Sequence, residues 1–172
     1  TQVDPGPISR SLEGTSRPGH LNGVATVVSK IFNIVHPDIT VFGQKDWQQT
    51  RVIDKLIQDL NFDVQMLVIP TVRTGEGLAI SSRNTLLTDE KLDAARILYA
   101  SLNASAEMYY AGERDAASLR AECQSVLSTE PLCQQDYVSV AHALTLAELE
   151  QATEPMVICC AASFGSVRLI DN

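Results

Sequence analysis

An α/β fold with a parallel sheet in its first half, followed by a small α+β unit, is the architecture this sequence predicts. Three observations carry the prediction. Between residues 22 and 69 the apolar residues alternate between helical spacing and short continuous runs, in the order helix, strand, helix, strand, with short links. After about residue 88 two helical stretches are followed by short strand-like runs. The chain has 172 residues, 45% of them hydrophobic and 20% charged. That is enough to bury a core, and it excludes a disordered or collagen-like chain.

Residues 1–19 are rich in Pro, Gly, Ser and Thr and are expected to form an extended connection. Val24, Val27, Val28, Ile31, Phe32 and Val35 then recur at helical spacing after Asn22. His36-Pro37 should end that helix, because the residue before a proline is pushed out of the α region. Ile39-Thr40-Val41-Phe42, closed by Gly43, is a buried-strand pattern. Val52, Ile53, Leu56, Ile57 and Leu60 mark one face of a second helix, and 64–69 a second strand stopped by Pro70. Residues 71–87 have no periodicity, little apolar content and two glycines, so a functional loop held weakly by packing is expected. Thr88-Asp89-Glu90 is a helix start. One helix is predicted over 92–109 and another over about 115–128. Strands are predicted around 137–140, 156–162 and 167–170, with a polar helix near 146–150. The expected division is therefore 1–87 and 88–172.

Charge and cysteines narrow the partners. Lys and Arg total 13 against 21 Asp and Glu, a net charge of -8. With no basic run, wrapping nucleic acid or coating anionic lipid is excluded, although a local phosphate site is not. Cys123, Cys133, Cys159 and Cys160 have no metal-ligand spacing, and buried thiols in a reducing cytoplasm are expected. No apolar run reaches the roughly 20 residues a membrane helix needs. The N-terminus begins neither with Met nor with a signal pattern, which suggests the interior of a longer chain.

Three segments could carry chemistry. Gly43-Gln44-Lys45-Asp46 directly follows a predicted parallel strand, where open α/β sheets bind ligands beside helix N-termini. There Gly43 would leave the backbone approachable, Lys45 would offer a mobile charge, and Asp46 would either meet ribose hydroxyls or cap the next helix. Ser81-Ser82-Arg83-Asn84 offers hydroxyls and a guanidinium fork suited to polyphosphate oxygens, or else forms an ordinary serine-rich turn. Arg17 and His20 could face the same anion, or His20 could sit on a surface turn. His36, His142, Phe42 and Trp47 read as structural.

Five segments in order resemble the pantothenate synthetase family: 12–20, 42–49, Pro70-Thr71-Val72-Arg73, 77–84 and the terminal Arg168-Leu169-Ile170-Asp171-Asn172. The resemblance runs from about Ser9 to the C-terminus. It implies the second half of a Rossmann-like nucleotidyltransferase domain followed by a small α+β lid, and a cytoplasmic homodimer. It also implies ATP-dependent joining of pantoate to β-alanine through a pantoyl adenylate, with Mg2+ carried mainly by the phosphates. By the same resemblance Gly43, Gln44, Lys45 and Asp46 hold ATP, with Lys45 near the phosphates and Asp46 at the ribose. Gln49 binds pantoate, Val72 binds adenine through its backbone, and Ile80, Ser81, Ser82 and Arg83 bind the triphosphate. Lys45, Ser81 and Arg83 are the expected catalytic groups, Arg17 and His20 accessory ones; no metal ligands are expected.

Two departures stand out. Gln44 and Trp47 occupy positions where the family commonly has a glutamate and another aromatic. The family's His-x-Gly-His turn and its second pantoate-binding glutamine do not occur in the sequence. The chain is therefore expected to be the C-terminal part of such an enzyme, inactive alone. A non-catalytic self-association module with a vestigial nucleotide site is the alternative reading.

Overall fold

The computed structural model describes residues 1–172, which form two compact units, Thr1–Pro70 and Thr71–Asn172. In the first unit, helix α1 (His20–Val35) precedes strand β1 (Ile39–Gly43), helix α2 (Trp47–Asp59) and strand β2 (Gln65–Ile69). β1 and β2 pair in parallel, Val41 opposite Leu67 and Gly43 opposite Ile69, with α2 as the crossover. A parallel pair requires such a crossover, which is why a helix separates the two apolar runs. α1 stops where proline predicts: His36 takes the left-handed conformation at φ 50° and donates its amide to the Phe32 carbonyl at 2.9 Å.

Leu21, Ala25 and Phe32 of α1 pack with Val52, Ile53 and Leu56 of α2 to form this unit's core. The Phe32 and Phe62 rings meet edge to face at 5.3 Å. The opposite sheet face is bare. Ile39, Val41, Leu67 and Ile69 are 40–58% exposed, and Ile34 and Val35 at the end of α1 are more so.

Residues 1–19 are more ordered than an extended connection. They contain a 3-10 turn at Pro7–Ser9 and a helical turn at Glu13–Ser16. The buried Gln48 side chain of α2 holds them: its Nε2 donates to the carbonyls of Ile8 at 2.9 Å and Ser11 at 2.8 Å, and its Oε1 accepts from the Glu13 amide at 3.0 Å. Gly14 is required there, since a Cβ would lie 1.9 Å from the Ser9 carbonyl oxygen.

In the second unit, helices α3 (Asp89–Ala94), α4 (Ile97–Tyr110) and α5 (Ala116–Ser128) precede strands β3 (Gln134–His142), β4 (Met156–Phe164) and β5 (Val167–Asp171). The sheet is antiparallel with β4 central. Cys160, Ala162 and Phe164 of β4 join Leu98, Leu102, Cys123 and Leu127 in the core. All four thiols are free, and Cys123, Cys159 and Cys160 are buried. Burial, with the charge of Glu130 nearby, pushes the half-buried Cys133 thiol up to about 11.

Two expectations about helices change. The helix predicted over 92–109 is broken at Ala95–Arg96, where amides of Arg96 and Leu98 bond three residues back instead of four. That tightening keeps the small Ala94 and Ala95 and the bulky Leu98 together in the core. The helix expected near 146–150 does not form. Leu146 has φ 58°, and the segment lies along β3, Leu149 donating to the Val140 carbonyl at 2.9 Å and His142 to the Ala147 carbonyl at 2.9 Å. Pairing with a strand outcompetes a short helix whose pattern was only local. The compact units divide after Pro70. The 71–87 loop belongs with the second unit because Leu78 and Ala79 are buried and Arg73 pairs with Asp171.

Candidate functional site

In the first unit the site grows from the C-terminal end of β1. Gly43 ends the strand in extended conformation, and Gln44–Asp46 form a 3-10 turn that leads into α2. A Cβ at Gly43 would meet no atom within 4 Å, so nothing in this unit fills the space over its backbone. Lys45 and Gln44 are half-buried and Asp46 is exposed. Asp46 stands at the N-cap of α2, but its side chain makes no capping hydrogen bond. The capping alternative for this aspartate therefore lacks its bond.

Gln48 and Gln49 show how one turn of helix divides labour. Neighbouring helical residues point about 100° apart. Gln48 turns inward and pins the N-terminal segment, while Gln49 faces an open cavity of about 540 Å³. The same cavity is lined by Gly19, His20 and Gly23 at the start of α1 and by Val24, Val27, Val28 and Phe42. The lining is thus mostly apolar, and its polar parts are an amide side chain, an imidazole and the N-terminus of a four-turn helix, where anions are favoured. Gly19 has φ 80°, a conformation that glycine adopts without strain, and a Cβ at either Gly19 or Gly23 would project into open space. Gln49 and His20 are brought together here; Arg17 precedes α1 and does not line the cavity.

In the second unit, residues 72–80 fold back on themselves around an antiparallel bridge between Arg73 and Ala79. The Ile80 amide donates to the Val72 carbonyl at 2.9 Å, and Thr74 to Leu78 at 2.9 Å. Val72 and Ile80 are left 64% and 56% exposed, an unusual state for two apolar side chains on an ordered turn. Ser81 begins the 3-10 turn Ser82–Leu86, its hydroxyl oxygen accepting from the Arg83 amide at 3.2 Å. The serine-rich turn forms, and capping uses a Ser81 lone pair and leaves its proton to donate elsewhere. Ser82 is exposed and Arg83 half-buried.

Three residues that hold this turn escaped sequence reasoning, and a fourth, Asn84, lay in the candidate segment without a role of its own. Arg73, Asp171 and Tyr99 hold the turn, and Asn84 ties Ala79 to the 3-10 turn by donating to the Ala79 carbonyl at 3.1 Å. The Asn84 Oδ1 and Thr71 Oγ1 atoms are buried without partners. Arg73, Asn84 and Asp171 all lay inside the quoted segments, but no spacing rule links Arg73 to a residue 98 positions away.

Comparison with known proteins identifies the family. The family model described as pantoate-beta-alanine ligase matches residues 1–172. A pantothenate synthetase of Chloroflexus aurantiacus is 54% identical over 162 residues, 94% of this chain and 58% of that protein. The crystal structure of pantothenate synthetase from Thermus thermophilus superposes with a TM-score of 0.96 at 38% identity, covering 99% of this chain and 62% of the other. The Francisella tularensis pantoate-beta-alanine ligase, complexed with beta-gamma ATP and beta-alanine, gives a TM-score of 0.72 at 30% identity over 99% of this chain and 57% of that one. This chain thus spans about 60% of the length of the relatives it matches. No helix is long and apolar enough to cross a membrane. With the family model matching residues 1–172 and with this fold, the chain belongs to the pantoate–β-alanine ligase family.

Proposed function

We propose that this chain carries the ATP and pantoate contacts of an enzyme that condenses pantoate with β-alanine. The single observation that supports this best is the cavity beside Gln49. Pantoate has a geminal dimethyl group between a hydroxy acid end and a hydroxymethyl end. Val24, Val27, Val28 and Phe42 suit the methyl groups, and Gln49 with the start of α1 suits the oxygens. In the proposed reaction the pantoate carboxylate attacks the α-phosphorus of ATP and pyrophosphate leaves. The amine of β-alanine then attacks the acyl carbonyl of the adenylate, releasing AMP and pantothenate.

No protein nucleophile is needed, so the chain's contribution is positioning and charge stabilisation. In the first unit, Gly43 and Gln44 give ATP an open backbone, Lys45 meets the phosphates and Asp46 the ribose. In the second, Val72 meets adenine through its backbone, and Ile80, Ser81, Ser82 and Arg83 bind the triphosphate. Lys45, Ser81 and Arg83 counter the charge that grows on departing pyrophosphate. The donors given to the triphosphate are cations and hydroxyls, not carboxylates, so Mg2+ travels on the phosphates. His20, and more distantly Arg17, serve as accessory groups. The working form is a cytoplasmic homodimer.

The His-x-Gly-His turn expected of the family is not in these residues. The chain alone is therefore expected to turn over slowly. The test is AMP release dependent on both pantoate and β-alanine, with the chain alone and with the part of the Chloroflexus relative outside the matched segment added. Release only in the mixture supports the proposal; none in either, with ATP binding also absent, favours the self-association reading.

A further inference from the structure

Two of the segments that carry the family resemblance have so far no role: Arg73 in the turn after Pro70, and the terminal Asp171-Asn172. The structure joins them. The Arg73 guanidinium donates to Asp171 Oδ2 at 2.5 Å and Oδ1 at 2.9 Å, to the Asn172 carbonyl at 3.1 Å and to the Gly77 carbonyl at 3.1 Å. It lies 4.3 Å above the Tyr99 ring. The Asp171 side chain is 1% exposed and that of Arg73 19%. A planar fork is needed to satisfy a carboxylate and two carbonyls at once while stacking on a ring, and an ammonium cannot do this.

We infer that the Arg73–Asp171 pair is a positioning device that sets the shape of the turn presenting Val72 and Ile80. For the identity of what the turn receives, a nucleotide, the inference rests on the proposed function. Arg73 occupies the bridge to Ala79, so both arms of the turn move with it. Val72 and Ile80 are largely exposed and have little packing of their own to fix them. Their position comes from the buried Gly77, Leu78 and Ala79 and from the Arg73 guanidinium that grips Gly77. The bond from Asn84 to the Ala79 carbonyl passes that position on to the 3-10 turn carrying Arg83. The C-terminal residues thus act on the nucleotide contacts without touching the nucleotide.

Amide exchange and Mg-ATP titration by NMR, on this chain and on its Asp171→Asn and Arg73→Lys variants, test the device. The amides of Thr74, Gly77 and Ile80 should exchange about tenfold faster or more in both variants, while Leu119, Cys123 and Leu127 change less than about twofold. Unchanged exchange in the turn would overturn the inference. So would equal acceleration in turn and core, the mark of a purely structural pair. Where Mg-ATP shifts the Val72 and Ile80 resonances of the parent chain, Arg73→Lys should weaken the apparent affinity about fivefold or more, and equal affinity would count against the device. A parent chain without such shifts would tell against the nucleotide reading instead, leaving the pair to be judged on exchange alone.

Discussion

At the scale of single residues, Gln48 and Gln49 are chemically identical and do different work. Gln48 has its amide fully engaged by Ile8, Ser11 and Glu13, and Gln49 faces the cavity. Gln49→Ala should raise the KM for pantoate about tenfold with little change in kcat, because a side chain that touches substrate in both ground and transition state gives uniform binding. On the proposed role, in which its charge meets the departing pyrophosphate, Lys45→Ala should instead lower kcat by about 100-fold. Steady-state kinetics of an assembled enzyme, each substrate varied, check both; equal effects on both parameters in both variants would refute these roles. Composition and spacing single out neither glutamine, the resemblance points to Gln49 alone, and neither reading foresees the work of Gln48. The difference between them comes from which face of α2 meets the N-terminal segment.

Within single elements, local chemistry and packing can be told apart. α5 starts where Asp115 accepts from the Ser118 amide at 2.9 Å and from its hydroxyl at 2.8 Å, and these bonds hold the Asp115 carboxyl below its ordinary 3.8. A lowered carboxylate pKa stabilises the fold above the ordinary value and loses that contribution as pH falls through the folded one. Asp115→Ala should therefore lower the melting temperature at pH 7, and the gap to the parent should close toward pH 2, whereas Asp115→Ser should retain most of the stability. Melting curves against pH decide it; a gap that persists unchanged at pH 2 contradicts the cap as its source. The turn at Gly77 behaves differently, because its limit is tertiary. Gly77 has φ 90°, and a Cβ there would lie 1.9 Å from Cδ1 of Tyr99, whose other partner is the Arg73 guanidinium. Gly77→Ala should cost at least about 2 kcal/mol through strain and overlap. Chemical denaturation measures this, and a loss below about 0.5 kcal/mol would show that the ring moves aside freely.

For the whole molecule, the bare face of the β1–β2 pair is the feature that composition does not reveal. Parallel sheets are ordinarily covered on both faces, yet Val41 is 58% and Ile69 45% exposed. The chain spans 58% of the Chloroflexus relative, so the remainder of such a protein is long enough to supply the cover. The part of that relative outside the matched segment should bind this chain in trans, and Val41→Asp should weaken binding by about tenfold or more. Analytical ultracentrifugation of the mixture checks this. Self-association through the face with no binding of the added segment would move the balance to the non-catalytic alternative.

What the sequence determined by itself was local or short in range: the end of α1 at His36-Pro37, the start of α5 at Asp115, the two parallel strands and the helix between them. Proline sterics, a capping carboxylate and apolar periodicity act over a few residues, so each is legible in the string. Gly43–Asp46 and Ser81–Arg83 stood out as candidates for the same local reason, strengthened by the ordered segments of the resemblance, and their roles belong to the proposed function. Tertiary structure decided the rest. The segment 146–150 had the composition of a helix but lies along β3, because strand amides and carbonyls were there to be paired. The loop at 71–87 looked weakly held, yet Arg73 reaches Asp171 across 98 positions and Leu78 enters the core. Burial of an ion pair depends on which surfaces meet, and no periodicity in the chain encodes that meeting.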